Sequence, residues 1–263
     1  MTPANDEKRI EDEIVHGRLL SRGDPETIWG WGTPAGQIRA ARRARLISEG
    51  AHLGPGMTVL EIGCGGGMFT EMFARSGAEI VAVDVSPDLL DKARRRGLPA
   101  DRVRFIEADF EKMEWKDPFD AVIGSSVLHH LNLRRALIRI RELLKPGGCL
   151  AFAEPNLMNP QVFLERVFRF LPWFDHVSPD ETAFVRWRLC AALEQAGFKD
   201  VSITPFDFLH PSTPPNAIAM VSKIGHALEK LPASREISGS LFIKGRRPRT
   251  DAPVLEAGKC VQV

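Results

Sequence analysis

A chain of 263 residues, 44% apolar and 26% charged, has the make-up of one large α/β domain with additions, and a formal net charge of +1 excludes a global field that would draw in nucleic acid. Four scattered cysteines, Cys64, Cys149, Cys190 and Cys260, form no CxxC pair and so offer no zinc-site spacing. The charged N-terminus has no apolar core of the signal-peptide kind, and no run nears the roughly 18 apolar residues of a membrane span, so a cytoplasmic protein is expected, with peripheral membrane contact left open.

The first 20 residues read as a polar amphipathic helix or a loose arm, followed by a glycine-rich segment from Trp29 to Gly36. An arginine-rich helix is predicted from about Gln37 to His52, broken by the Gly54-Pro55-Gly56 run. From Met57 the pattern alternates. Strands are predicted at Thr58–Ile62, Glu79–Val83, Val103–Glu107, Phe119–Gly124 and Cys149–Ala153. Helices lie between them, one opened by Ser86 as N-cap with Pro87 at the first position. Alternation with short connections predicts an α/β fold, a doubly wound, Rossmann-like parallel sheet. After Glu154 the rhythm changes. A bulky helix spans Gln161–Leu171, and another opens at Ser178 and closes at Gly197. Two more strands, Val201–Phe206 and Ser238–Lys244, flank a helix near Asn216–Lys230.

The first strand runs into Glu61-Ile-Gly63-Cys64-Gly65-Gly-Gly67. Such a turn brings backbone N–H groups close to a ligand, though nicotinamide enzymes use a similar one. The spacing here is GxGxG, and Glu61 at the strand end suits a cationic amino group while repelling a pyrophosphate. Asp84 ends the second strand, where an acid can accept both ribose hydroxyls. Asp109, just past the third, could receive an adenine amino group.

These residues, with Val83-Asp-Val-Ser-Pro87, Leu128-His-His-Leu131 and Leu143-Leu-Lys-Pro-Gly-Gly148, resemble the successive motifs of class I S-adenosylmethionine-dependent methyltransferases, in order, over Met57–Asn156. The resemblance implies a seven-stranded sheet with an antiparallel last strand, and S-adenosylmethionine as cofactor, leaving S-adenosylhomocysteine as product. It also implies that Glu61, Gly63, Cys64 and Gly65 hold the methionyl part, that Asp84 binds the ribose with Val85 beside the adenine, that Asp109 and Phe110 hold the adenine edge, and that Ser125 and Ser126 line the methionyl pocket. Residues 1–52 then form an N-terminal helical arm or lid, 53–245 the methyltransferase domain with a helical, acceptor-covering insert at about 157–197, and 246–263 a mobile tail.

Methyl transfer needs alignment of donor and acceptor and, for a hydroxyl, removal of a proton. His130 and His129, after strand four, are base candidates; the alternative is a helix cap and a packing residue. Glu154, after strand five, is the further candidate, or a loop-fixing carboxylate. The Asn/Asp-Pro-Pro-aromatic motif of nucleic-acid enzymes is replaced by Gly124-Ser-Ser-Val127, and no metal site can be assembled from the strand ends. Trp29 and Trp31 either shield a sulfonium or anchor the arm. Arg39, Arg42, Arg43 and Arg45 read as a solvated face or an anion site. The aromatic surface from Phe163 to Phe174 suits an apolar acceptor, a sugar or a membrane surface. The expected function is methylation of an O- or N-nucleophile of a small metabolite, sugar or lipid precursor. The rivals are a nicotinamide oxidoreductase and a non-catalytic cofactor binder.

Overall fold

The computed structural model describes residues 3–167 and 183–250. Helices α1 (Pro3–Ser21), α2 (Pro25–Ile28) and α3 (Pro34–Gly50) come first. Then β1 (Thr58–Ile62), α4 (Met68–Ala74), β2 (Glu79–Asp84), α5 (Pro87–Arg94), β3 (Val103–Glu107), β4 (Phe119–Ser125), α6 (Leu133–Leu143) and β5 (Leu144–Pro155) alternate. They are followed by α7 (Pro160–Val167), α8 (Arg186–Gln195), β6 (Lys199–Phe206), α9 (Ile218–Glu229), α10 (Pro232–Arg235) and β7 (Ser240–Arg246). The strands form one sheet in the order β3-β2-β1-β4-β5-β7-β6, with β7 antiparallel to both its neighbours. The doubly wound, seven-stranded sheet with a reversed last strand is therefore present.

The strands bury both faces, which is why their sequences are nearly continuous apolar runs. Leu60, Ile62, Val81 and Val83 pack with residues of α6 and α8 on one side. Val59, Ile80 and Ala82 pack with Ile47 of α3, Phe73 of α4 and Leu90 of α5 on the other. Full burial of each large side chain contributes about 1.5–3 kcal/mol, so these two clusters dominate the fold. Local chemistry sets the helix starts. Ser86 Oγ accepts from Leu89 N, Thr33 Oγ1 from Gly36 N, and Asn132 Oδ1 from Arg135 N.

Several expected boundaries shift. The Lys145–Gly148 turn lies inside β5, where a register shift against β4 absorbs it and Lys145 pairs with Asp120 at 2.9 Å. The described part of the helix expected from Ser178 to Gly197 is α8, Arg186–Gln195, preceded by Phe184, which bridges to Asn156; residues 168–182, with most of the aromatic surface expected up to Phe174, lie outside the described residues. Within the segment at about 157–197, α7 lines the large cavity at the sheet edge, and Leu189 and Leu193 of α8 belong to the main core. The tail is still tied down at Arg247, whose guanidinium donates to the carbonyls of Arg141 and Leu144; residues 251–263 lie outside the described residues.

The arginine helix is the largest departure. Arg39 pairs with Asp207 at 2.7 Å, Arg42 forks onto Glu229, and Arg43 is 3% exposed beneath the helix. Only Arg45, paired with Glu49, is a solvated residue. Amphipathic reading missed this because the partners come from the other end of the chain. Among the described residues no helix is long and apolar enough to cross a membrane.

Candidate active site

A cavity of about 1240 Å³ opens at the C-terminal edge of the sheet, where the strand order reverses between β1 and β4. The glycine turn after β1 forms its floor. Gly63 has φ +67°, and a Cβ there would stand 2.5 Å from Val127 Cγ2, so only glycine fits. The N–H groups of Gly63 and Cys64 both donate to the Val83 carbonyl, stitching the turn to β2. Cys64 and Gly65 line the cavity, and burial pushes the Cys64 thiol well up, so it stays neutral.

The three acids take different positions. Asp84 lines the cavity; its Oδ2 accepts from Gly65 N at 2.8 Å and its Oδ1 from Ser86 N at 2.9 Å. Asp109 lines it as well, beside Phe110, with Val85 on the same wall. Its Oδ1 accepts from Glu111 N, while Oδ2 is buried without a hydrogen-bond partner. Glu61 is set behind the turn at 1% exposure, and its Oε2 also has no hydrogen-bond partner. Burial first, then the Asp84 charge, push its carboxyl up to about 8 against the influence of Thr70.

Ser125 and Ser126 line the far wall, both under the Arg43 guanidinium, whose Nη1 donates to Ser126 Oγ at 2.7 Å and to Ser125 Oγ at 3.3 Å. Its other nitrogen donates to Ser240 Oγ at 2.6 Å, and burial with the nearby Arg39 charge lowers its pKa to about 10, still charged at neutral pH. Ser126 holds a left-handed φ of +56°, a conformation this clamp sustains. Trp31 lines the cavity with its ring 5.3 Å from both the Arg39 and Arg43 guanidiniums and edge-on to Phe69. Trp29 lies over Gly65.

The two histidines come after β4 in a 3-10 turn and both line the cavity. His129 is 4% exposed, its Nδ1 2.7 Å from Glu154 Oε2. Glu154 is fully buried outside the cavity wall, and its Oε1 accepts from Val127 N and Leu128 N. Burial opposes its charge, but the His129 contact and the two N–H groups prevail and hold its pKa below the ordinary carboxylate value. The clamp therefore stabilises the fold above the ordinary carboxylate range, and that contribution is lost as acid protonates Glu154. The His130 ring lies tilted by 38° against His129 with centroids 4.1 Å apart, and its Nδ1 lies 2.9 Å from Glu13 Oε1 of α1.

Comparison with known proteins establishes the family of the chain. Residues 59–148 match a family described as "Methyltransferase domain". A ubiquinone biosynthesis O-methyltransferase of Xanthomonas campestris pv. campestris (strain B100) is 33% identical over 190 residues, 66% of this chain and 77% of the relative. One of Xylella fastidiosa (strain 9a5c) is 35% identical over 194 residues, 66% and 76%. The chain belongs to the class I S-adenosylmethionine-dependent methyltransferases. Solved structures share the fold: the N-methyltransferase NodS from Bradyrhizobium japonicum WM9 with S-adenosyl-L-homocysteine (TM-score 0.62, 18% identity, 90% of this chain and 99% of that one), and a putative methyltransferase in complex with the Haloferax volcanii Trm112 activator (0.65, 19%, 88% and 97%).

The methyltransferase has a site that fits its cofactor on two independent observations. The Glu61 Oε2, buried behind the glycine turn, and the Asp109 Oδ2, after β3 and 3.8 Å from the Lys112 ammonium, lack a hydrogen-bond partner. S-adenosylmethionine carries donors for both, an ammonium and an adenine amino group. Glu61→Gln should accordingly act in opposite directions on stability and binding. Between the ordinary carboxyl value of 4.5 and the folded value near 8, folded Glu61 holds a proton the unfolded chain has lost, so its stabilising contribution is full below 4.5 and gone above 8. The glutamine removes that loss, and melting of the ligand-free protein above pH 8 should rise. Calorimetric affinity for S-adenosylhomocysteine should fall about 10- to 100-fold, the scale of one charge-assisted hydrogen bond. Unchanged affinity would remove Glu61 from the cofactor site.

Sequence reasoning read Arg43 as part of a solvated face or an anion site, gave the N-terminal residues as an arm or lid without naming Arg9, Glu13 and Gly17, and missed Asp207. Arg9, Glu13 and Gly17 recur every fourth residue, which places them on one helix face, but a polar stripe does not reveal its partner.

Proposed function

We propose that the methyltransferase modifies a hydroxyl group on a small, lipid-like acceptor, with His130 taking the proton. The observation that carries this is the pair of cavity histidines, each held at Nδ1 by a carboxylate. A histidine donating from Nδ1 keeps its basic lone pair on Nε2, the form a general base needs. A sulfonium cofactor supplies an activated methyl group when bound; the chain must orient the partners and accept a proton. Glu61 offsets the ammonium charge, Asp84 takes the ribose, and Asp109 with Phe110 takes the adenine. Arg43 fixes Ser125 and Ser126 in the wall, and Glu154 fixes His129 as a packed support for His130. Of the two histidines, His130 is the less buried, with 20% of its side chain exposed, so it is the one we assign to the acceptor.

The rest of the cavity is walled by Gln161 and Val162 of α7 and by Phe208, Leu209 and His210 after β6. Phe163 and Leu164 of α7 are half-exposed beside this wall, which supports an apolar acceptor over a sugar and fits peripheral contact with a membrane surface in a cytoplasmic setting. The relatives named for O-methylation in ubiquinone biosynthesis support the same acceptor class. The test is transfer of labelled methyl from S-adenosylmethionine to a panel of hydroxylated ubiquinone-precursor analogues, sugars and amines. Methylation of the first group is expected; turnover confined to amines or sugars would overturn the assignment.

A further inference from the structure

Helix α1 crosses the cavity mouth and touches the segments at the ends of three strands. Arg9 pairs with Glu111 after β3, both side chains largely buried, and Arg9 Nη1 also donates to the His130 carbonyl at 3.2 Å. Glu13 reaches His130 after β4. Gly17 lies so close to Ser86, after β2, that a Cβ would stand 2.3 Å from Ser86 Oγ. The same helix face lines the cavity opposite Asp84, Val85 and Asp109, the residues that receive the nucleoside. A bound nucleoside is therefore covered by α1, and its exchange requires these contacts to part.

We propose that Glu13 is a positioning residue that couples closure of α1 over the cofactor to the orientation of His130. The carboxylate holds the imidazole through Nδ1 only while α1 is seated, so the base is set when the nucleoside is covered and released when α1 lifts. Arg9 supports the arrangement from the same face by gripping the His130 carbonyl, fixing backbone and ring together. This rests on the assignment of His130 as base. The lid half does not depend on any acceptor, so the two can fail separately.

The experiment measures release of labelled S-adenosylhomocysteine in a chase, without acceptor, for Glu13→Ala, His130→Ala and the double variant. Each single change should speed release at least about tenfold, and the double variant should release more slowly than the product of the two single effects, because both remove the shared contact. The second readout is the nitrogen-15 spectrum of the His130 ring in the cofactor-bound enzyme. Glu13→Ala should shift it away from the Nδ1–H form, and Glu13→Gln, which keeps an acceptor oxygen, should retain that form and slow release relative to the alanine. Release rates that multiply in the double variant, or an unmoved His130 spectrum in Glu13→Ala, would overturn the coupling. A merely structural role for Glu13 would speed release and leave the ring unchanged.

Discussion

His130→Asn is expected to lower turnover by about 100- to 10,000-fold, the usual scale of a lost general base, while affinity for S-adenosylhomocysteine changes little. The choice of asparagine matters. Its amide nitrogen can occupy the position of Nδ1 and still donate to Glu13, so α1 keeps its contact and only Nε2 is lost. Alanine would remove the lid contact as well and mix a binding defect with a chemical one. His129→Asn is the comparison. It keeps a donor for Glu154 and so spares the buried carboxylate an unpaired oxygen, which would cost about 1–3 kcal/mol. A larger loss of turnover at His129 than at His130 would reverse the assignment and make the Glu154–His129 pair the catalytic one. Single-turnover rates at saturating cofactor separate these outcomes, since they exclude product release.

What the sequence revealed depended on how far each residue's partners lie along the chain. The strands β1 to β5 were legible because burial on both faces writes itself into consecutive apolar residues. Ser86 and Asp84 were legible because a cap or a strand-end acid acts on neighbours within a few residues or across one glycine turn. Arg43 looked like part of a solvated stripe because its partner Ser240 is 197 residues away. Glu13 gave no signal at all, since its meaning comes from His130, 117 residues on. Glu154 was half legible. Its place at the end of the fifth strand suggested chemistry, but only the fold shows it inside β5 with both its oxygens engaged by the chain that carries His129. The residues that assemble the cavity wall were therefore the least readable, while those in the local strand–turn–helix unit were the most.

Asp84→Ala should weaken S-adenosylhomocysteine binding by about 100- to 10,000-fold, because two charge-assisted hydrogen bonds to a ribose contribute about 1.5–3 kcal/mol each. The geometry allows both. Each carboxylate oxygen accepts one backbone N–H, from Ser86 or Gly65, and retains a lone pair for a hydroxyl. Those two bonds already hold the carboxylate in a fixed orientation across the gap between the glycine turn and the start of α5. Burial raises the Asp84 pKa, and the two N–H groups offset part of that rise. The alanine leaves the Gly65 and Ser86 N–H groups unpaired, and thermal melting of the ligand-free protein should fall too. Asp84→Asn distinguishes the two effects. One amide oxygen can still serve a backbone donor, so stability should recover further than affinity does. Calorimetric titration of both variants provides the check: a drop of less than about fivefold in the alanine would remove Asp84 from the ribose, and an equal recovery of stability and affinity in the asparagine would mean that the carboxylate mainly shapes the turn.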